Sequence, residues 1–185
     1  MNGELEAQVR ETGAGRLLVR PVRPGDRELL RRGFNQLTPK SRYRRFFSPI
    51  AQLSETHLDY LTKIDYRDHF AWVGILVDEP QMPLGGVGRW IRTEDNPRAA
   101  EAAVAVVDRY QGRGIGRAVL EILAGSAIKL GVGEFVALVQ ADNLPVLRIL
   151  EEVDAVPAGS DAGIKRFVVP LPVTRRSRSR RSPRR

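Results

Sequence analysis

The 185-residue chain has no cysteine and only two histidines, His57 and His69. Without cysteine there is no disulfide, no thiolate metal site and no cysteine nucleophile. Two imidazoles are too few for a histidine-rich metal centre. Long apolar runs are also missing: nowhere do about 18 apolar residues follow one another, the length a spanning helix needs. The start, "MNGELEAQVRETGAGRLLVRP", lacks the apolar core of a secretory signal. These absences lead us to expect a cytoplasmic protein with no membrane insertion.

Acid is absent from one stretch. Residues 175–185, "RRSRSRRSPRR", hold seven arginines and no carboxylate. The whole chain carries +8, and taking those seven charges away leaves +1 on residues 1–174. An arginine/serine run with proline cannot build a core. The sequence therefore predicts a flexible leader over 1–15, one folded domain over 16–171 and a disordered tail over 172–185. Such a tail is either a solvated charge run or an arm that meets nucleic acid or another anionic surface through phosphates. No aromatic residue interleaves it, so it carries no stacking signal.

What is present is a strong alternation of strand and helix patterns. Segments rich in β-branched and aromatic residues predict strands at 17–22, 69–77, 84–93, 100–108, 134–140 and 163–171. Asp26, Thr38 and Ser54 stand where helices are expected to begin, with Pro39 in the first turn of the second. Ile115, Val119, Ile122, Leu123, Ala127 and Leu130 recur at helical spacing and predict a long helix closed by Gly131 and Gly133. Pro145 opens a further helix in "ADNLPVLRILEEV". Three strands in succession predict an antiparallel meander. The strand–helix–strand–helix–strand order that follows predicts parallel neighbours. The fold class is a mixed α/β (α+β) sheet with helices on both faces.

The chemistry concentrates at "VVDRYQGRGIGRAVL", residues 106–120, where Gly112, Gly114 and Gly116 separate a strand from the long helix. The first amides of a helix have no internal partner, and its dipole places partial positive charge there. Glycine keeps that end clear for a phosphate, and Arg113 and Arg117 add charge. The competing reading is a turn made bare only for close packing. A nucleotide P-loop needs Gly-Lys-Ser/Thr, which does not follow. A dinucleotide fold needs Gly-x-Gly-x-x-Gly and an acid at the end of the next strand, and here that strand ends in Gln140. Tyr43, Phe46 and Phe47 in "SRYRRFF" are expected to be core or groove lining, His69 a structural histidine, and Trp72 and Trp90 core or ligand-wall residues.

At these residues the sequence resembles the Gcn5-related N-acetyltransferase (GNAT) family. Its coenzyme A signature, Gln/Arg-x-x-Gly-x-Gly/Ala, is matched by Gln111, Gly114 and Gly116. "LTPKSRYRRFFSP", "AEAAVAVVDRYQGRGIG" and "ADNLPVLRILEE" are similar to the acetyltransferase domain of bacterial Pat-type protein lysine acetyltransferases. The resemblance covers about residues 16–171. It implies a mostly antiparallel sheet whose fourth and fifth strands splay apart around acetyl-CoA. It also implies that the amides of Gly112, Arg113, Gly114, Ile115, Gly116 and Arg117 hold the pyrophosphate. Ala105, Val106 and Val107 would flank the pantetheine, with the Val106 amide facing the thioester oxygen. Asn143 would touch the pantetheine or the sulfur end, unless it is an ordinary helix cap. Glu101 would be the general base for an incoming amine.

The family often places a tyrosine seven residues after the helix asparagine; here that position is Leu150, so the leaving thiolate would take its proton from solvent. Pat-type proteins often carry a separate cyclic-nucleotide domain. This chain has no room for one, so such regulation would need a partner. The expected acceptor is a lysine of a protein. A small amine, a protein N-terminus, or non-catalytic acyl-CoA binding are the alternatives.

Overall fold

The strand-forming segments assemble into one eight-stranded sheet. The computed structural model describes residues 6–81 and 83–173. The strands are β1 (Gln8–Thr12), β2 (Gly15–Pro21), β3 (His69–Leu76), β4 (Leu84–Arg92), β5 (Ala99–Val106), β6 (Glu134–Gln140), β7 (Val156–Asp161) and β8 (Ile164–Pro170). The helices are α1 (Arg27–Asn35), α2 (Pro39–Phe46), α3 (Glu55–Thr62), α4 (Ile115–Lys129) and α5 (Leu144–Glu152). The strand order is β1-β2-β3-β4-β5-β6-β8-β7. Every neighbouring pair is antiparallel except β5–β6, which are parallel across the α4 crossover.

Three expectations change. The leader expected to be loose contains β1, which pairs with β2 from Gln8↔Val19 to Thr12↔Gly15. Second, β7 lies in a stretch for which no strand was expected. Third, β8 was expected parallel to its neighbour but runs antiparallel to β6. The reason is topological: α5 leads into β7, and the β7–β8 hairpin reverses the chain before β8 docks on β6. Residues 1–5 of the leader and 174–185 of the tail lie outside the described residues.

The core has two layers. On one face α4 lays Ile115, Val119, Ile122 and Leu123 against Leu17, Val19, Phe70, Trp72 and Trp90. Both indole N–H groups of Trp72 and Trp90 donate to Ser126 Oγ, at 3.2 and 3.3 Å, so these tryptophans are core with their polar atoms satisfied. On the other face α1 and α3 place Leu30, Phe34, Leu58 and Leu61 over Ala71 and Val73.

The expected caps hold for α2 and α3. Thr38 Oγ1 accepts from Ser41 N–H at 3.3 Å and Ser54 Oγ from His57 N–H at 3.1 Å. Asp26 does not cap α1. Its carboxylate accepts two bonds from Arg20 and one from Arg23 N–H, each 2.7 Å long. Burial penalises that carboxylate, but these donors outweigh the penalty and hold its pKa below the usual range.

Candidate active site

β5 pairs with β6 over three positions only, Ala99↔Glu134, Ala100↔Phe135 and Glu101↔Val136. Beyond Glu101 the two strands separate, and a wedge opens along the rest of β5. On its other edge β5 stays paired with β4 as far as Gly86↔Val106. Val107 N–H donates to Gly85 O at 3.0 Å. An antiparallel ladder alternates its hydrogen-bonding direction, so Ala105 and Ala103 also face β4, while Val106, Val104 and Ala102 turn towards the wedge. Gln111 Nε2 reaches Val106 O from that side at 3.1 Å. Of the three residues expected beside the pantetheine, then, Val106 has its backbone directed at the wedge. Ala105 and Val107 have theirs engaged with β4. Val104, not singled out from the sequence, shares Val106's orientation; strict period-two counting back from Val106 is the signal that finds it.

The wedge ends at the glycine loop. Gly112 and Gly114 have φ of +74° and +87°, and a Cβ at either would meet nothing within 4 Å. Their glycines answer a backbone need and not a packing one. Gly116 is different: its Cβ would sit 3.3 Å from Val106 Cγ2. The first intrahelical bond of α4 runs from Ala118 N–H to Gly114 O, 3.0 Å long. Among the described residues no protein acceptor meets the amides of Gly112 to Arg117. A row of unpaired donors at the dipole-positive end of a 15-residue helix, with open space above it, fits a diphosphate. Ile115 is fully buried and anchors the loop. The β1–β2 turn supports it from behind, where Gly13 N–H donates to Arg113 O at 2.9 Å. Arg113 and Arg117 are exposed, and Arg117 lies 3.4 Å from Glu152.

α2 roofs the wedge mouth. Asp108, just past β5, accepts from Thr38 N–H (3.0 Å), Thr38 Oγ1 (3.0 Å) and Ser41 Oγ (2.7 Å). Asp142, just past β6, holds Lys40 at 3.0 Å and Arg44 at 3.3 Å. Asn143 occupies the N-cap position of α5 but its side chain makes no capping bond. The ordinary cap reading therefore does not account for it. Leu150 is 9% exposed and belongs to the core, so it offers no proton donor to the wedge.

Glu101 is exposed and lies at the last paired position of β5 and β6. Its side chain projects on the α1–α3 face, with Ala103, Ala105 and Val107 following on the same face. Its charge acts on Arg45 of α2, whose pKa is lowered by burial and raised in turn by Tyr60 and Glu101. His69 on β3 accepts from Arg89 Nη1 through Nε2; burial, then the Arg89 charge, pushes its pKa down to about 4. It is a neutral structural acceptor. Phe46 packs edge-on to Phe34 at 5.8 Å, whereas Tyr43 is exposed.

The sequence matches the model of the acetyltransferase (GNAT) family over residues 40–153. The chain belongs to that family, whose members draw the acetyl group from acetyl-CoA, and the splayed sheet above is the GNAT fold. Among particular relatives, it is 36% identical over 154 residues to an acetyltransferase Pat of Mycolicibacterium smegmatis, covering 83% of this chain and 45% of that protein. It is 31% identical to acetyltransferase PA5475 of Pseudomonas aeruginosa, over 69% of this chain and 68% of that one. The solved GNAT domain of S. lividans PAT superposes with a TM-score of 0.81 at 25% identity, over 89% of this chain and 97% of that one. The chain thus spans less than half the length of the M. smegmatis relative. Among the described residues no helix is long and apolar enough to cross a membrane.

Proposed function

We propose that this chain transfers the acetyl group of acetyl-CoA to a lysine side chain of a protein, with Glu101 as general base. The observation that carries the reading is the continuous run of unpaired amides from Gly112 to Arg117, placed at the end of an open wedge in the sheet. When bound, acetyl-CoA supplies an activated thioester carbonyl. The loop amides hold its diphosphate, and backbone N–H groups at Val104 and Val106 face the gap where the carbonyl oxygen gathers negative charge. An alkylammonium has an ordinary pKa of about 10.4 and must shed a proton before it can attack. Glu101, exposed at the wedge's closed end, accepts that proton directly or through a water. Leu150 cannot protonate the leaving thiolate, so solvent does. The lysine acceptor is supported by the resemblance to Pat-type enzymes and by the relatives bearing that name.

The test is Glu101→Gln. General-base removal should lower kcat by about 10² to 10⁴-fold. Calorimetry should show coenzyme A affinity within twofold of the parent. Undiminished transfer by the variant rejects Glu101 as the base. No heat of binding for acetyl-CoA to the parent rejects the whole reading.

A further inference from the structure

Two arginines of the acceptor face make no hydrogen bond or ion pair with a carboxylate among the described residues. Arg89, on β4, is 2% exposed. Its Nη2 donates to Leu61 O at 2.7 Å, its Nη1 reaches His69, and its Nε is buried without a partner. Arg45, on α2, is half-buried and makes neither a hydrogen bond nor an ion pair among the described residues; its guanidinium lies over the Phe46 ring at 5.0 Å. Its neighbours are engaged: Arg44 holds Asp142, and Arg42 Nε donates to Leu37 O at 3.0 Å. Both arginines line one cavity of about 60 Å³, with Phe34, Phe46 and Leu61 on one side and Val87 and Ala105 on the other. A water needs roughly 10–15 Å³ of such space, so the cavity has room for a small organic anion and its first carbons.

Buried charge without a counter-charge is costly, and two like charges around one cavity add to that cost. The carbonyls closing α3 offset part of it for Arg89. For Arg45, Tyr60 and the Glu101 carboxylate offset part of it through space, and no hydrogen bond adds to them. The effect is visible in the groups themselves: burial first, then Arg45, lowers the Arg89 pKa to about 10. The cavity asks for an anion, and its apolar walls and limited volume suit a carboxylate on an aliphatic stem.

We propose that this cavity is a carboxylate subsite, and that the carboxylate is an acidic side chain of the acceptor protein close to the lysine that is acetylated. The source follows from spacing. Arg89 is paired with Ala103, two strand positions from Glu101, roughly 7 Å at about 3.3 Å per residue. An α-amino acid holds its own amine and carboxylate much closer together than that. A lysine and an Asp or Glu two residues away on an extended peptide span it. The inference rests on the acetyl-transfer reading for its choice of acceptor. The anion site itself does not.

The test has two readouts. Thermal unfolding is followed with propionate against chloride at equal ionic strength. The midpoint should rise in the parent, rise less in Arg45→Lys, and not respond in Arg45→Gln. This arm needs no turnover, so it separates failure of the anion site from failure of the enzyme reading. In the second arm, lysine peptides differ only by Asp or Asn two residues from the lysine. One charged hydrogen bond predicts a preference for Asp of about tenfold or more in kcat/KM. That ratio should fall to near one in Arg45→Gln and survive in part in Arg45→Lys. No propionate response in the parent overturns the subsite, as does a preference for Asp that persists in Arg45→Gln. Free α-amino acids acetylated in preference to both peptides would overturn the protein source and assign the carboxylate to a small acceptor.

Discussion

Gly114 is the residue on which the proposed phosphate cradle turns. It stands at the N-cap of α4 with φ +87°, nothing crowds its α-carbon, and the amides it exposes are unpaired. An alanine there would fit in space and suffer in conformation, since the left-handed region costs an L-residue roughly 1–2 kcal/mol. Gly114→Ala should therefore lose about that much stability in urea titration and weaken coenzyme A binding by calorimetry at least tenfold, as the amides rotate off target. Unchanged affinity in a folded variant would detach the loop from the ligand. Much of this was legible, because Gln111, Gly114 and Gly116 carry a spacing that few local structures need. Val104 was harder to find: a valine in an alanine/valine strand looks like packing, and only strand parity shows where its amide points. Arg45 was harder still. "SRYRRFF" offers three arginines, and nothing in the run tells which of them lacks a partner once α2 is docked.

At the scale of elements, α2 and the wedge form one assembly. A short helix of eight residues has little stability of its own. Asp108 compensates by accepting three bonds at its N-terminus, and Asp142 by pairing with Lys40 and Arg44. The two acids sit past the ends of the two diverging strands, so the helix bridges the gap proposed to receive the thioester. Asp108→Ala removes the first anchor. Loss of such a cap costs roughly 1 kcal/mol. The amides of residues 42 to 47 should then exchange with deuterium about fivefold faster, while those of α4 keep parental protection. Equal acceleration in α4 would mean global destabilisation and not a loosened roof. The strands and helices that build this assembly were predictable because each buries an apolar face. β1 and β7 were not. Both are edge strands, β7 is exposed along its whole length, and Val9 of β1 is 56% exposed, so neither leaves an apolar alternation to read. Missing β7 also reversed the expected direction of β8.

For the molecule as a whole, charge and fold are separable. Removing residues 175–185 takes seven of the eight net positive charges and none of the core described above. A chain ending at residue 173 should keep its thermal midpoint within about 1 °C of the parent, because the two packed layers that supply its stability are untouched. It should also retain coenzyme A affinity, since the diphosphate is proposed to sit on the loop amides and not on the tail. Association with duplex DNA is expected to behave in the opposite way. Each phosphate neutralised contributes about 0.9 to the slope of log K against log salt, so seven arginines could contribute a slope of up to about 6. That slope should be present in the full chain and vanish in the shortened one. A slope that survives truncation would place the contact on the folded part, where Arg113 and Arg117 beside the glycine loop are the exposed cations to replace next. DNA would then compete with coenzyme A for the same amides, an outcome that a titration with both ligands reads directly.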